Sequence, residues 1–388
     1  MIALRAGCMG AVLLSAAALA DFGDPLPGLT ADEIAAFEDG KADFIEVETV
    51  ADGLGPVFNE VSCVACHTGP KGAIGGTNQR LETRFGRYKF DGTFDPLAAL
   101  GGSLLQDHSI GPDGKKGHEY KAEAVPRAAN VLARRRTTPL FGLGLVDATP
   151  TSTFFTLAFA QAIARPSIAG VPSIVTDPLT RRAALGKFGW KAQVPSLFVF
   201  AGDAYLNEMG ITNPIFPNEN CPQGNCGDLD FNPLSTLNDD GEGVEKLADF
   251  MTFLAPPPRG AQSFVTDHGN RVAAAIGCLD CHTQTLRTGP NAVKALNEVV
   301  YHPFSDFLLH DMGSLGDGIT QNRATGRLMR TQPLWGLRSQ TQLLHDGRAH
   351  TVAQAIRGHD GQARAARLKF ERLSAFDRRA LLAFLESL

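Results

Sequence analysis

Apolar residues recur at helical spacing in only a few stretches of the chain, and glycine, proline and asparagine punctuate most of the rest. The clearest periodicity runs from Gly243 to Leu254, with Val244, Leu247, Phe250, Met251 and Leu254 on one face. Pro256-Pro257-Pro258 then stops that helix and marks the strongest domain boundary. Thr30 to Gly40 reads as a short helix, capped by Thr30 with Glu33 completing a capping box. Leu157 to Ala164 is an apolar helical segment. Thr351 to His359 places Val352, Ala355, Ile356 and His359 on one face. The closing SAFDRRALLAFLESL starts at a Ser374 cap with Asp377 in the first turn. Residues 101–120 and 213–242 are turn-rich and read as loops. Alternation of β-branched residues is sparse, so the fold class expected is mostly α.

Residues 1–20 fit a secretory signal peptide: Arg5, an Ala/Leu-rich run, then Ala18-Leu19-Ala20 before Asp21. Cys8 precedes the apolar run, which argues against a lipid anchor, and no later stretch is long enough for a stable membrane span. The expected product is exported to the periplasm. Hydrophobic residues make up 44% and charged residues 20%, which excludes a disordered or multi-span chain. A net charge of −5 offers no global basic surface for nucleic acid. That charge is uneven: Gln321 to Leu388 holds twelve Lys/Arg against five Asp/Glu. Either amphipathic helices need solvated faces there, or some arginines neutralise an anionic cofactor or steer a partner.

Seven cysteines become six once residues 1–20 are removed. Four of them form Cys63-Val64-Ala65-Cys66-His67 and Cys278-Leu279-Asp280-Cys281-His282. C-x-x-C-H is the c-type haem attachment pattern. Sulfurs three residues apart share a helical face and reach the two vinyl groups of one porphyrin, while the next histidine becomes the proximal iron ligand. A zinc knuckle would not require either histidine. A thioredoxin-like dithiol would need a βαβ context that is absent. Cys221 and Cys226 have no following histidine; they close a small loop as a disulfide or remain two thiols.

With these motifs, nine segments make the chain resemble the bacterial di-haem oxidoreductases, a peroxidase family also called predicted thiol oxidoreductases. They are GLGPVFNEVSCVACH (53–67), RRTTPLFGLGLVDA (135–148), GKFGWKAQ (186–193), DAYLNEMGITNP (203–214), FLAPPPRG (253–260), GCLDCHTQTLRTG (277–289), LLHDMGSLGDG (308–318), RTQPLWGLR (330–338) and LLHDGRAHTVAQAIRGHDGQA (343–363). Distant relatives are the di-haem cytochrome c peroxidases and the enzyme that matures methylamine dehydrogenase. The resemblance implies two cytochrome-c-like haem domains, expected at 21–150 and 259–388, with a long loop-rich insertion at 151–258. It also implies a calcium ion between the domains.

The motifs name Cys63, Cys66, His67, Cys278, Cys281 and His282 as the cofactor-binding residues of two covalently bound haems. His359 is the expected sixth ligand of the second iron, with Met312 and Met329 as competitors and a solvated histidine as the plain alternative. The first iron is expected to be open; His108 and His118 lie in the loop that could cap it, but their glycine-rich surroundings favour surface histidines. The resemblance places Asp147 as a distal acid/base for peroxide, or else as a turn cap before Thr149-Pro150. Arg136 would stabilise the leaving hydroxide or bind a propionate. His345 and Asp346 are expected beside the second haem, and Trp190 or Trp335 between the two, either as conduit or as packing.

The reading these features support is a periplasmic di-haem peroxidase that reduces hydrogen peroxide with electrons from a small donor such as a cytochrome c or cupredoxin. Two alternatives share the machinery: an enzyme that oxidises another protein, and an electron-transfer cytochrome with both irons six-coordinate.

Overall fold

The computed structural model describes residues 21–69, 72–234 and 237–388. The expected signal peptide, with Cys8, lies outside the described residues. Helix α1 (Ala31–Ile45) begins with the capping box read from sequence, the Thr30 hydroxyl accepting from Glu33 N–H. It continues five residues past Gly40, where the sequence suggested an end. Gly40 is a crossing point instead. A Cβ there would lie 2.1 Å from the Lys246 carbonyl oxygen. That carbonyl belongs to α5 (Glu242–Phe253), which packs across α1. Phe250 fills the crossing between Phe37 and Phe44, at ring separations of 5.3 and 4.7 Å.

The second half repeats the device. Helix α6 (Phe264–Ile276) ends one residue before Cys278, at Gly277 in the left-handed region. It crosses α9 (Ala375–Leu385) at Gly269, where a Cβ would meet the Ala380 carbonyl at 2.0 Å. Val272, Ala273, Ile276, Leu381, Phe384 and Leu385 form one buried cluster around that contact. In both halves a helix, a C-x-x-C-H turn and a closing helix make one unit.

This changes the reading of residues 151–258. They hold α3 (Thr151–Ala164), α4 (Leu197–Met209) and α5, and α5 closes the first unit on α1. The loop at 213–242 is tied by a Cys221–Cys226 disulfide. It packs on the loop at 101–120: Tyr120 Oη donates to Asp228 O at 2.6 Å, and Glu123 accepts from Gln223 N–H at 2.7 Å.

Helix exceeds strand, 38% against 14%, yet strands are more numerous than the sparse alternation suggested. Leu81–Tyr88 pairs antiparallel with Val131–Arg136, in register Leu81↔Arg136 through Gly86↔Val131. Their sequences, LETRFGRY and VLARRR, hide the strand signal because the inward positions carry charge. Arg135 turns in to meet Asp317 at 2.6 Å. No helix among the described residues is long and apolar enough to cross a membrane.

The crossing at Gly269 gives a direct test. Gly269→Ala must push the two helix backbones apart, which costs roughly 1–3 kcal/mol as overpacking does elsewhere. Urea denaturation should show that loss, whereas Gly72→Ala, with open space around its Cβ position, should cost only the strain of its left-handed conformation.

Candidate functional site

The first motif folds as one tight turn, Cys63–Ala65, with His67 N–H returning to Cys63 O at 2.9 Å. Asn78 pins it from the side, donating through Nδ2 to Ala65 O at 2.5 Å and through its N–H to Cys66 O at 3.3 Å. The His67 ring lies 5.8 Å from Phe44 of α1. Burial holds this imidazole neutral, down to about 4, against the opposing pull of the Gly76 backbone. Burial also pushes both thiols, Cys63 and Cys66, up to about 12. Such cysteines are not the low-pKa dithiol of a disulfide exchanger.

The second motif, Cys278–Asp280, follows α6 directly. His282 Nδ1 donates to Phe304 O at 2.8 Å. A carbonyl only accepts, so the proton sits on Nδ1 and Nε2 keeps its lone pair. Burial brings this imidazole down to about 4 as well. His359 stands at the C-terminal cap of α7 (Val352–Gly358) and repeats the arrangement: Nδ1 donates to Ala355 O at 2.8 Å. Burial lowers its pKa too. His282 and His359 line one cavity whose walls include Leu334, Leu337, Val352 and Ile356. Met312 and Met329 line it too. Two neutral imidazoles with free Nε2 atoms in an apolar cavity fit a haem iron held between nitrogens.

Arg136 lines this second cavity. Its Nη2 donates to Thr77 Oγ1 at 2.7 Å and to Gln340, while Nε has no partner. Arg330, which the sequence did not single out, lines the same cavity. Its Nε donates to Gly189 O at 2.7 Å and Nη2 to Gln332 at 2.8 Å, and Nη1 has no partner. Burial lowers Arg136 to about 10 and Arg330 to about 9. His345 lines the cavity and its carbonyl accepts from Arg136 N–H at 2.7 Å. Asp346 pairs with the exposed Arg348.

Trp190 and Trp335 both line this cavity. Trp335 packs on Gly142, whose neighbour Phe141 flanks Gly75; the Gly75 N–H bonds His67 O at 2.9 Å. Trp335 thus stands on a short packed route between the two histidines. Asp147, at the end of α2 (Leu143–Asp147), has both oxygens engaged. One meets Lys187 Nζ at 2.5 Å, and the other accepts Leu197 N–H, at the start of α4, at 3.0 Å. His108 is exposed, pairs with Asp107 and stacks on Phe58. His118 stacks on Phe231 at 4.5 Å.

One cluster was invisible in the sequence. His310 Nε2 meets Asp306 at 3.0 Å, Gln161 donates to the same carboxylate at 2.7 Å, and Cys281 Sγ lies 3.5 Å from His310 Nδ1. Burial opposes charge on His310, but the bond to Asp306 prevails and raises it to about 10. Gln161 of α3 also donates to Asp280 O at 2.9 Å, so this group braces the second motif against α3.

Residues 112–388 match the profile of a family described as "Di-haem oxidoreductase, putative peroxidase". No protein of curated function matches the chain. Among solved structures, it is 13% identical to hydrazine synthase of Kuenenia stuttgartiensis, covering 100% of this chain and 98% of that one with a TM-score of 0.41. A MauG-like protein associated with microbial copper homeostasis is 12% identical (96% and 94% covered, TM-score 0.41). A variant of the di-haem peroxidase BthA from Burkholderia thailandensis is 14% identical (96% and 89% covered, TM-score 0.40).

The Asp147–Lys187 pair is testable apart from any cofactor. Asp147→Ala leaves a buried ammonium unpaired, which should cost about 2–3 kcal/mol of unfolding free energy. The cost falls short of a sealed pair because the Asp147 side chain keeps 26% of its exposure. The double variant Asp147→Ala/Lys187→Met should recover most of the loss.

Proposed function

The chain belongs to the di-haem oxidoreductase family, and on that premise we propose that it is a periplasmic peroxidase carrying two covalently attached c-type haems. The reading rests on how the ten histidines are spent. His282 and His359 share the second cavity, which His345 also lines. His108, His118, His268, His302 and His310 are engaged elsewhere, with Asp107, Phe231, Asp377, Thr285 and Asp306. His350 is exposed. His67 is left as the single imidazole of the first motif. His282 and His359 would together hold one haem, suited to electron storage, and His67 would hold the other, suited to reaction with peroxide.

Bound haem would supply one-electron redox chemistry and the position where peroxide is reduced. The protein supplies the rest. Cys63, Cys66, Cys278 and Cys281 would each form a thioether, and none of them is joined to another cysteine. His67, His282 and His359 present buried neutral nitrogens. Trp335 provides packed contact between the two sites. Reduction of one peroxide to two waters takes two electrons and two protons. The electrons would come from a small donor such as a cytochrome c or cupredoxin. Asp147, paired with Lys187, is the carboxylate we assign to proton handling. The Cys221–Cys226 disulfide supports an oxidising compartment.

Electron paramagnetic resonance of the resting holoprotein should show one high-spin and one low-spin ferric haem. His359→Gly should convert the low-spin signal and leave the high-spin one. Two low-spin signals that persist on partial reduction would instead identify an electron carrier. Peroxide-dependent oxidation of reduced cytochrome c should be fast in the wild type. Asp147→Asn should slow it at least tenfold, on the scale of general acid–base catalysis, with both haems retained.

A further inference from the structure

Arg136 and Arg330 are 6% and 4% exposed, and among the described residues neither is paired with a carboxylate. A buried charge without a counter-charge is among the most costly features a fold can carry. Every other strongly buried cation among the described residues is matched. Arg135 and Lys191 meet Asp317 at 2.6 and 2.9 Å, and Lys187 meets Asp147. The two exceptions line the same cavity, and each has one buried N–H without a hydrogen-bond partner, Nε of Arg136 and Nη1 of Arg330.

A single residue fixes both. Trp190 Nε1 donates to Arg136 O at 2.7 Å, and Trp190 O accepts Arg330 N–H at 2.9 Å. The preceding Gly189 carbonyl takes Arg330 Nε. The two guanidiniums are thus set as a pair, one from each unit of the molecule. Gln340 accepts from Arg136 and Gln332 from Arg330.

We propose that Arg136 and Arg330, positioned by Trp190, form a clamp for two carboxylates, the propionates of the cofactor held by His282 and His359. The assignment rests on the functional reading above. A haem presents two carboxylates, and a guanidinium fork matches a carboxylate in shape and charge. Arg136 also binds Thr77, the neighbour of Asn78, which pins the first motif. The second cofactor is therefore gripped by side chains from both units.

The test is a reductive titration of the second, low-spin haem in the holoprotein. A cation beside the propionates favours the reduced state and keeps the carboxylates ionised. Arg136→Met and Arg330→Met should each raise the ferric-to-ferrous ratio at a fixed poise by about tenfold, the scale of one altered charge–charge contact. Each should also make the potential vary with pH between about 6 and 8, which the wild type should not. Should the Met variants load poorly, Arg330→Gln should repeat the shift and Arg330→Lys should restore most of it. Equal shifts in the Gln and Lys variants would overturn the clamp, because charge would not be the cause. Adding inorganic phosphate to the wild type should leave the potential unmoved. A phosphate-dependent potential would assign the guanidiniums to a free anion and overturn the proposal. A low-spin second haem with unmoved variants sinks the clamp alone, whereas a wild type with no low-spin haem sinks the functional reading with it.

Discussion

Two backbone-to-backbone contacts organise this molecule. At Gly40 and at Gly269 a helix meets a carbonyl of its partner at a distance no Cβ would tolerate. Such an approach fixes both the depth and the angle of a helix pair, because neither side chain length nor rotamer can adjust it. Each crossing also sets where a C-x-x-C-H turn begins. In the second unit the turn starts directly from the left-handed Gly277 that ends α6. In the first unit residues 46–62 intervene, but Glu48 N–H bonds Val61 O at 2.8 Å and brings the turn back to Phe44. The cysteines and histidines are placed by glycines that carry no chemistry of their own.

The units are joined by charge. Asp317 is sealed between Arg135, from the strand Val131–Arg136, and Lys191, from the turn that carries Trp190. Lys191 also donates to the carbonyls of Thr325 and Leu328 at 3.0 and 2.7 Å. A buried ion cluster of this kind adds little net stability over a well-packed apolar one. What it does supply is register. Asp317 and the two carbonyls fix the segment that ends in Leu328–Arg330, so Met329 and Arg330 reach the cavity from a fixed backbone position.

The chemistry was more legible in the sequence than the architecture. Both C-x-x-C-H turns, the Thr30 and Ser374 caps and the His359 helix follow local rules, and local rules survive tertiary context. Gly40 did not, because a helix-ending glycine and a helix-crossing glycine look alike until the partner helix is known. The strand Leu81–Tyr88 was missed because Glu82 and Arg84 interrupt its apolar positions; they pair with each other at 2.8 Å, and Glu82 also faces Arg135 on the neighbouring strand. Domain bounds drawn at 150 and 258 separated α5 from α1, since no periodicity says which distant helix a given helix will cross. Of the two roles open to Arg136, a leaving hydroxide or a propionate, no local rule chooses, because the strand that carries it ends against His345, more than 200 residues away in sequence.

The basic C-terminal stretch shows how little a net charge says alone. Of its arginines, Arg327, Arg348 and Arg367 pair with Asp311, Asp346 and Asp360. Arg357 and Arg378 lie over the Phe370 ring, and Arg338 covers Phe22 while donating to Pro258 O. These are ordinary surface duties, each worth little. Arg330 alone in this set is sealed beside the second cavity without an acid. Arg136, which completes the pair, comes from a different region of the chain altogether. The charge that bears on function is therefore not the excess visible in composition. It is one buried guanidinium from each unit, distinguishable from the rest only when burial and partners are read together.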